Sequence, residues 1–115
     1  LQVNHIIVCG HTDCGGIRAL ATGIDAGREP HIAEWLAQVR PIWEATGTEE
    51  LTPDARHLEV VRRSALQQRE NLHSYPVVAA ALEAGVLELH AWLLDLQNGE
   101  LQAYDDGSQG WTALQ

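Results

Sequence analysis

The run Val3-Asn4-His5-Ile6-Ile7-Val8-Cys9 is the feature that most constrains this chain. Its β-branched and apolar residues fall on both faces of any strand they form. That pattern belongs to a strand buried within a parallel sheet. Gly10 is read as its stop. A second run, Val86-Leu87-Glu88-Leu89-His90-Ala91-Trp92-Leu93-Leu94, reads the same way. Asn98-Gly99, between Leu96 and Leu101, is a hairpin signal. The remaining tail, 107–115, is loosely patterned and leaves Trp111 in a polar setting.

Helical spacing fills the region between the two runs. Ile17-Arg18-Ala19-Leu20-Ala21 is a short helix that Gly23 terminates. Ile32, Trp35, Leu36, Val39, Ile42 and Trp43 recur at the period of an amphipathic helix, with a kink expected at Pro41. Thr52-Pro53-Asp54 combines a capping hydroxyl, a first-turn proline and an early acid, so a long helix should run on through Leu72. Pro76 starts another, which Gly85 ends. Strand, helices, strand and hairpin in that order define an α/β fold in one domain, 1–115, with about three strands.

The chain has 115 residues, and its apolar fraction of 45% suffices for a core. Its formal net charge is −9, with 7 basic residues, all Arg, against 16 acidic ones. That balance argues against a nucleic-acid partner and against docking on an anionic membrane. No run reaches membrane-spanning length and no signal peptide is visible, so the setting is read as cytoplasmic. The chain begins at Leu1 and enters a strand almost at once, which reads as a truncation. Two cysteines, Cys9 and Cys14, do not make a disulfide scaffold. Cys9 is expected to be a buried apolar core residue.

His11 and Cys14 carry the chemistry. They follow a strand at its carboxyl end, where open α/β sheets place their ligands. Their two-residue gap lets both side chains reach one atom, as in other zinc sites. Cys14 opens a helix, whose positive end favours the metal-binding thiolate. Gly15 and Gly16 permit close backbone approach and leave N–H groups open to an oxyanion. A buried thiol and a helix-capping imidazole explain the same residues without metal. Two protein ligands are also fewer than the three or four that zinc takes.

The segment Val8-Cys9-Gly10-His11-Thr12-Asp13-Cys14-Gly15-Gly16 closely resembles the second zinc motif of β-class carbonic anhydrases. The similarity continues through Trp35-Leu36 to Ile42-Trp43, Arg69-Glu70-Asn71-Leu72, Pro76-Val77-Val78, Leu89-His90-Ala91-Trp92 and Asn98-Gly99-Glu100-Leu101. It implies the β-carbonic anhydrase fold, a mostly parallel sheet flanked by helices, here with its N-terminal part missing. It also implies that His11 and Cys14 are zinc ligands, that the Gly15 region receives bicarbonate, and that Zn2+ is the cofactor. The implied activity is that of a lyase, the reversible hydration of CO2 to bicarbonate and a proton, in a homodimer or higher homo-oligomer. The family's first motif, Cys-x-Asp-x-Arg, is not found in these residues, so no catalytic acid–base pair is assignable to this chain. A catalytically incomplete carbonic-anhydrase-like module, serving a structural or partner-binding role, is the alternative.

Other polar residues have blander readings. Asp13 is an acid at the positive end of a helix rather than a further ligand. His5 and His90 lie in strands as satisfied groups, and His31, His57 and His73 fall near helix ends or on exposed faces, any one a candidate proton shuttle. The Trp35/Trp43 stripe is read as packing, with contact to a neighbouring subunit as the second reading that the resemblance implies. With one sheet edge and part of the core open, the chain by itself is expected to be unstable or to aggregate.

Overall fold

Two strands of the sheet lie side by side although 76 residues separate them in sequence, from Thr12 to Leu87. In the computed structural model, which describes residues 2–23, 25 and 27–114, β1 is His5–His11 and β2 is Glu88–Leu94. They pair in parallel, with His5 opposite Glu88 and His11 opposite Leu94. A parallel pair requires a long crossover. The helices α1 (Gly15–Thr22), α2 (Pro30–Thr46), α3 (Pro53–Asn71) and α4 (Pro76–Glu83) occupy it, with a single 3-10 turn at Leu72–Ser74. Beyond β2 the chain folds back as β3, Leu101–Asp105, and then β4, Gly110–Ala113. The sheet order is β1-β2-β3-β4, parallel across the first pair and antiparallel across the other two. The readings that rest on Leu1 and Gln115 lie outside the described residues.

The helix boundaries follow the punctuation in the sequence. The Thr52 hydroxyl accepts the Ala55 N–H at 3.2 Å, so it caps α3 as its side chain allows. Gly23 ends α1 with φ at +94°, and Gly85 follows α4 at +72°, conformations that cost a side chain dearly. Pro41 sits inside α2 without ending it.

Three expectations about the strands need correction. Gly10 does not stop β1, since the ladder continues through Gly10 opposite Leu93 to His11 opposite Leu94. Its paired backbone offsets the entropy that glycine loses in a strand. Nor is β1 buried on both faces. Its burial alternates, with Ile6, Val8 and Gly10 half-buried and His5, Ile7, Cys9 and His11 exposed. Among the described strands β1 stands at the edge of the sheet, and Ile7 is 44% exposed. Cys9 is therefore an exposed free thiol rather than a core residue. Finally, the loosely patterned tail holds a fourth strand. Trp111 in β4 lies opposite Tyr104 in β3, and their rings meet edge to face at 5.5 Å.

The fold divides into two compact units, Leu1–His11 with Ala65–Gln115, and Thr12–Ser64. In the first, Ala65, Val78, Leu87, Ala91 and Leu93 are buried, the last two on the face of β2 opposite His90. Arg69 there donates to both carboxylate oxygens of Asp106 at 3.1 and 2.8 Å, fixing the β3–β4 turn. In the second, Ile17, Leu20, Leu36, Val39, Val60 and Val61 form the core. Leu36 and Val39 are fully buried, whereas Ile32 and Trp35 on the same predicted stripe stay about two-fifths exposed, at 44% and 40%.

Candidate metal centre

β1 delivers His11 as its last residue, on the exposed face of the strand. Thr12 and Asp13 then turn the chain, and Asp13 takes φ of +57°, a left-handed conformation that Asp tolerates better than most residues. Cys14 follows at the N-cap of α1, in an extended conformation with φ −64° and ψ 114°. Its carbonyl accepts the Arg18 N–H at 2.9 Å, the first bond of the helix. Its thiol is free, half-buried, and makes no capping hydrogen bond to the helix.

The glycines after Cys14 differ. A Cβ at Gly15 would meet nothing within 4 Å, so this backbone is open. A Cβ at Gly16 would lie 3.3 Å from the Trp35 ring and 3.9 Å from the Cys14 sulfur. Gly16 is thus the floor on which Trp35 packs beside the thiol, which accounts for part of the tryptophan stripe.

Asp13 is engaged elsewhere, because the Arg18 Nε–H donates to its carboxylate. The donor set around the turn is therefore one imidazole and one thiol, soft ligands suited to zinc. Their chemistry fits half of a zinc site. Among the described residues, three His, Cys or acidic donors converge at His5, Glu88 and His90 instead. Two histidines in strands are all that signals that cluster before folding, because the β1–β2 register that joins them depends on long-range pairing. Of the other histidines, His31 is exposed in the first turn of α2, His57 is half-buried in α3, and His73 lies 3.9 Å from Glu70.

A family profile described as carbonic anhydrase matches residues 1–101. The chain is 36% identical over 115 residues to a carbonic anhydrase of Pseudomonas aeruginosa, covering 99% of this chain and 52% of that protein. It is 32% identical over 117 residues to carbonic anhydrase 1 of Escherichia coli O157:H7, again covering 99% and 52%. Among solved structures, the β-carbonic anhydrase CcaA superposes with a TM-score of 0.88 at 30% identity, covering 99% of this chain and 57% of that one. The β-carbonic anhydrase CafA of Aspergillus fumigatus does so with a TM-score of 0.81 at 26% identity, covering 90% and 50%. A parallel strand ending in His, a turn, and a helix opening on Cys-Gly, set in this fold, belong to one lineage: the chain is a member of the β-class carbonic anhydrase family. It spans about half the length of the curated relatives it matches, 52% in both cases given. No helix among the described residues is long and apolar enough to cross a membrane.

Proposed function

We propose that His11 and Cys14 are zinc ligands, and that the protein to which this chain belongs catalyses reversible hydration of CO2 to bicarbonate and a proton. One observation carries the reading: a half-buried thiol at the N-terminus of α1 that makes no capping hydrogen bond, three residues after an imidazole at the end of a parallel strand, within this family. Zinc, when bound, supplies the Lewis acidity that makes water a nucleophile at neutral pH. The positive end of α1 accommodates the negative charge of a metal-bound Cys14 sulfur. Gly15 is the first residue of α1, where backbone N–H groups have no partner within the helix, so a bicarbonate oxygen can be received there as charge develops. Arg18 holds the Asp13 carboxylate and so keeps it from competing for metal in this arrangement.

The other donors and the groups that handle the proton are not assigned to residues of this chain. Homo-oligomerisation and a cytoplasmic setting are parts of the same proposal. Zinc content of the natural gene product, by elemental analysis, tests it. His11→Ala and Cys14→Ala should each lower the zinc content by about one ion per subunit, as a single catalytic centre requires. A folded protein without zinc, or a zinc-loaded one that does not hydrate CO2, would sink the reading. The first of these outcomes would leave a structural module.

A further inference from the structure

The far end of β1 holds a second set of donors. His5 Nδ1 and His90 Nε2 lie 3.0 Å apart, with ring centroids at 5.2 Å. Glu88 Oε2 lies 3.9 Å from His90 Nε2. One ligand atom from each of the three falls within 4.8 Å of the others. The register explains the convergence. His5 pairs with Glu88 and Ile7 with His90, so alternation puts all three donors on one face of the two strands. That face is accessible: His5 and Glu88 are exposed and His90 is half-buried.

We infer that His5, Glu88 and His90 form a binding site for a divalent first-row transition ion of the zinc type, separate from the family's own centre. Two imidazoles and one carboxylate are a donor set that zinc accepts, with a fourth position left to water. Imidazole selects zinc, nickel or copper over calcium and magnesium, which take oxygen ligands. Donor atoms at tetrahedral bond lengths of about 2.0 Å stand roughly 3.3 Å apart. The His5–His90 distance, 3.0 Å, is slightly short of that and the Glu88–His90 distance, 3.9 Å, slightly long. Rotamer adjustment of exposed side chains closes both gaps without moving the strands. A hydrogen bond between the two imidazoles is what the same atoms make when no ion is bound, and it holds the rings ready. The net charge of −9 further favours cations near the surface. The ion would clamp the first residue of β1 to β2.

This site shares no ligand with His11 and Cys14, so either assignment can fail without the other. The test is titration of the metal-stripped natural protein with Zn2+ and, separately, with Co2+. We expect a saturable binding event that persists in Cys14→Ser. It should vanish in His5→Ala/His90→Ala and weaken at least tenfold in Glu88→Gln, which preserves size and threatens no fold. Cobalt at this site should show no thiolate charge-transfer absorption. Titrations of folded His5→Ala/His90→Ala and Glu88→Gln that match the parent would overturn the inference. So would binding in the parent that never saturates.

Discussion

The Arg56 guanidinium lies over the Trp43 indole, its carbon 3.4 Å from the ring centroid. The same group donates to the Thr46 hydroxyl at 3.1 Å and to the Trp43 carbonyl. Thr46 is fully buried, and its hydroxyl donates a hydrogen bond to that carbonyl at 2.8 Å. One arginine of α3 therefore closes the C-terminal end of α2. It also explains Gly47, where a Cβ would stand 2.7 Å from the guanidinium.

Replacing Arg56 with Met should remove the stacking and two hydrogen bonds while keeping some apolar bulk. A loss of about 1–3 kcal/mol is expected. Arg56→Lys should recover little of it, since an ammonium cannot form the planar fork. Urea unfolding monitored at the tryptophans checks both, and parental stability in Arg56→Met would refute the clamp.

Adjacent glycines should answer differently to alanine. Gly15→Ala places its methyl in open space at a helical position, so stability should be unchanged or rise by about 0.5 kcal/mol. Gly16→Ala pushes on the Trp35 ring from 3.3 Å and should cost about 1 kcal/mol or more. Equal melting temperatures for the two variants would show that the Trp35 contact carries no weight.

The β3–β4 turn should loosen in acid. Asp105 accepts from the backbone N–H groups of Gly107 at 3.3 Å and Ser108 at 3.2 Å. Hydrogen bonding, chiefly from the Ser108 side chain and then from these amides, holds its carboxyl below the usual range. A folded value below the unfolded one means the stabilisation is complete above about pH 4 and is lost as pH falls through the depressed value. Amide exchange at Gly107 and Ser108, corrected for intrinsic rates, should rise over that acid window. It should already be high in Asp105→Ala at neutral pH. Protection unchanged in that variant would count against the carboxylate as the turn's anchor.

Ile7 should make the isolated 115-residue chain associate with itself. Its side chain is 44% exposed on an edge strand, beside the exposed Cys9. Flat, apolar edges template pairing with other chains. Sedimentation should show concentration-dependent association that Ile7→Lys reduces, and a monodisperse parent monomer would rule this out.

Much of the helical architecture is legible from single residues because helix ends are local. Thr52 and Pro53 mark the start of α3, and Gly23 and Gly85 mark ends, through dihedral and hydrogen-bond requirements that neighbours alone settle. Strand extent and burial are not local. Nothing near Gly10 tells that Leu93 will pair with it, and nothing in Ile7 or Cys9 tells which face of the sheet stays open. β4 has four residues, too few for alternation to register, and its partner Tyr104 supplies what pattern it has. The candidate centre follows the same division. His11 and Cys14 stand out by spacing, whereas His5, Glu88 and His90 meet only through the strand register.

β1 has seven residues and a histidine at each end, so six steps of about 3.3 Å set the two imidazoles roughly 20 Å apart. Mobile ions in cells screen exposed charges beyond about 8 Å. The strand is therefore an insulator between its own ends. A dication gained or lost at His5 leaves the electrostatics at His11 almost untouched, and the two positions should fill as independent equilibria, each with its own affinity and neither reporting the state of the other.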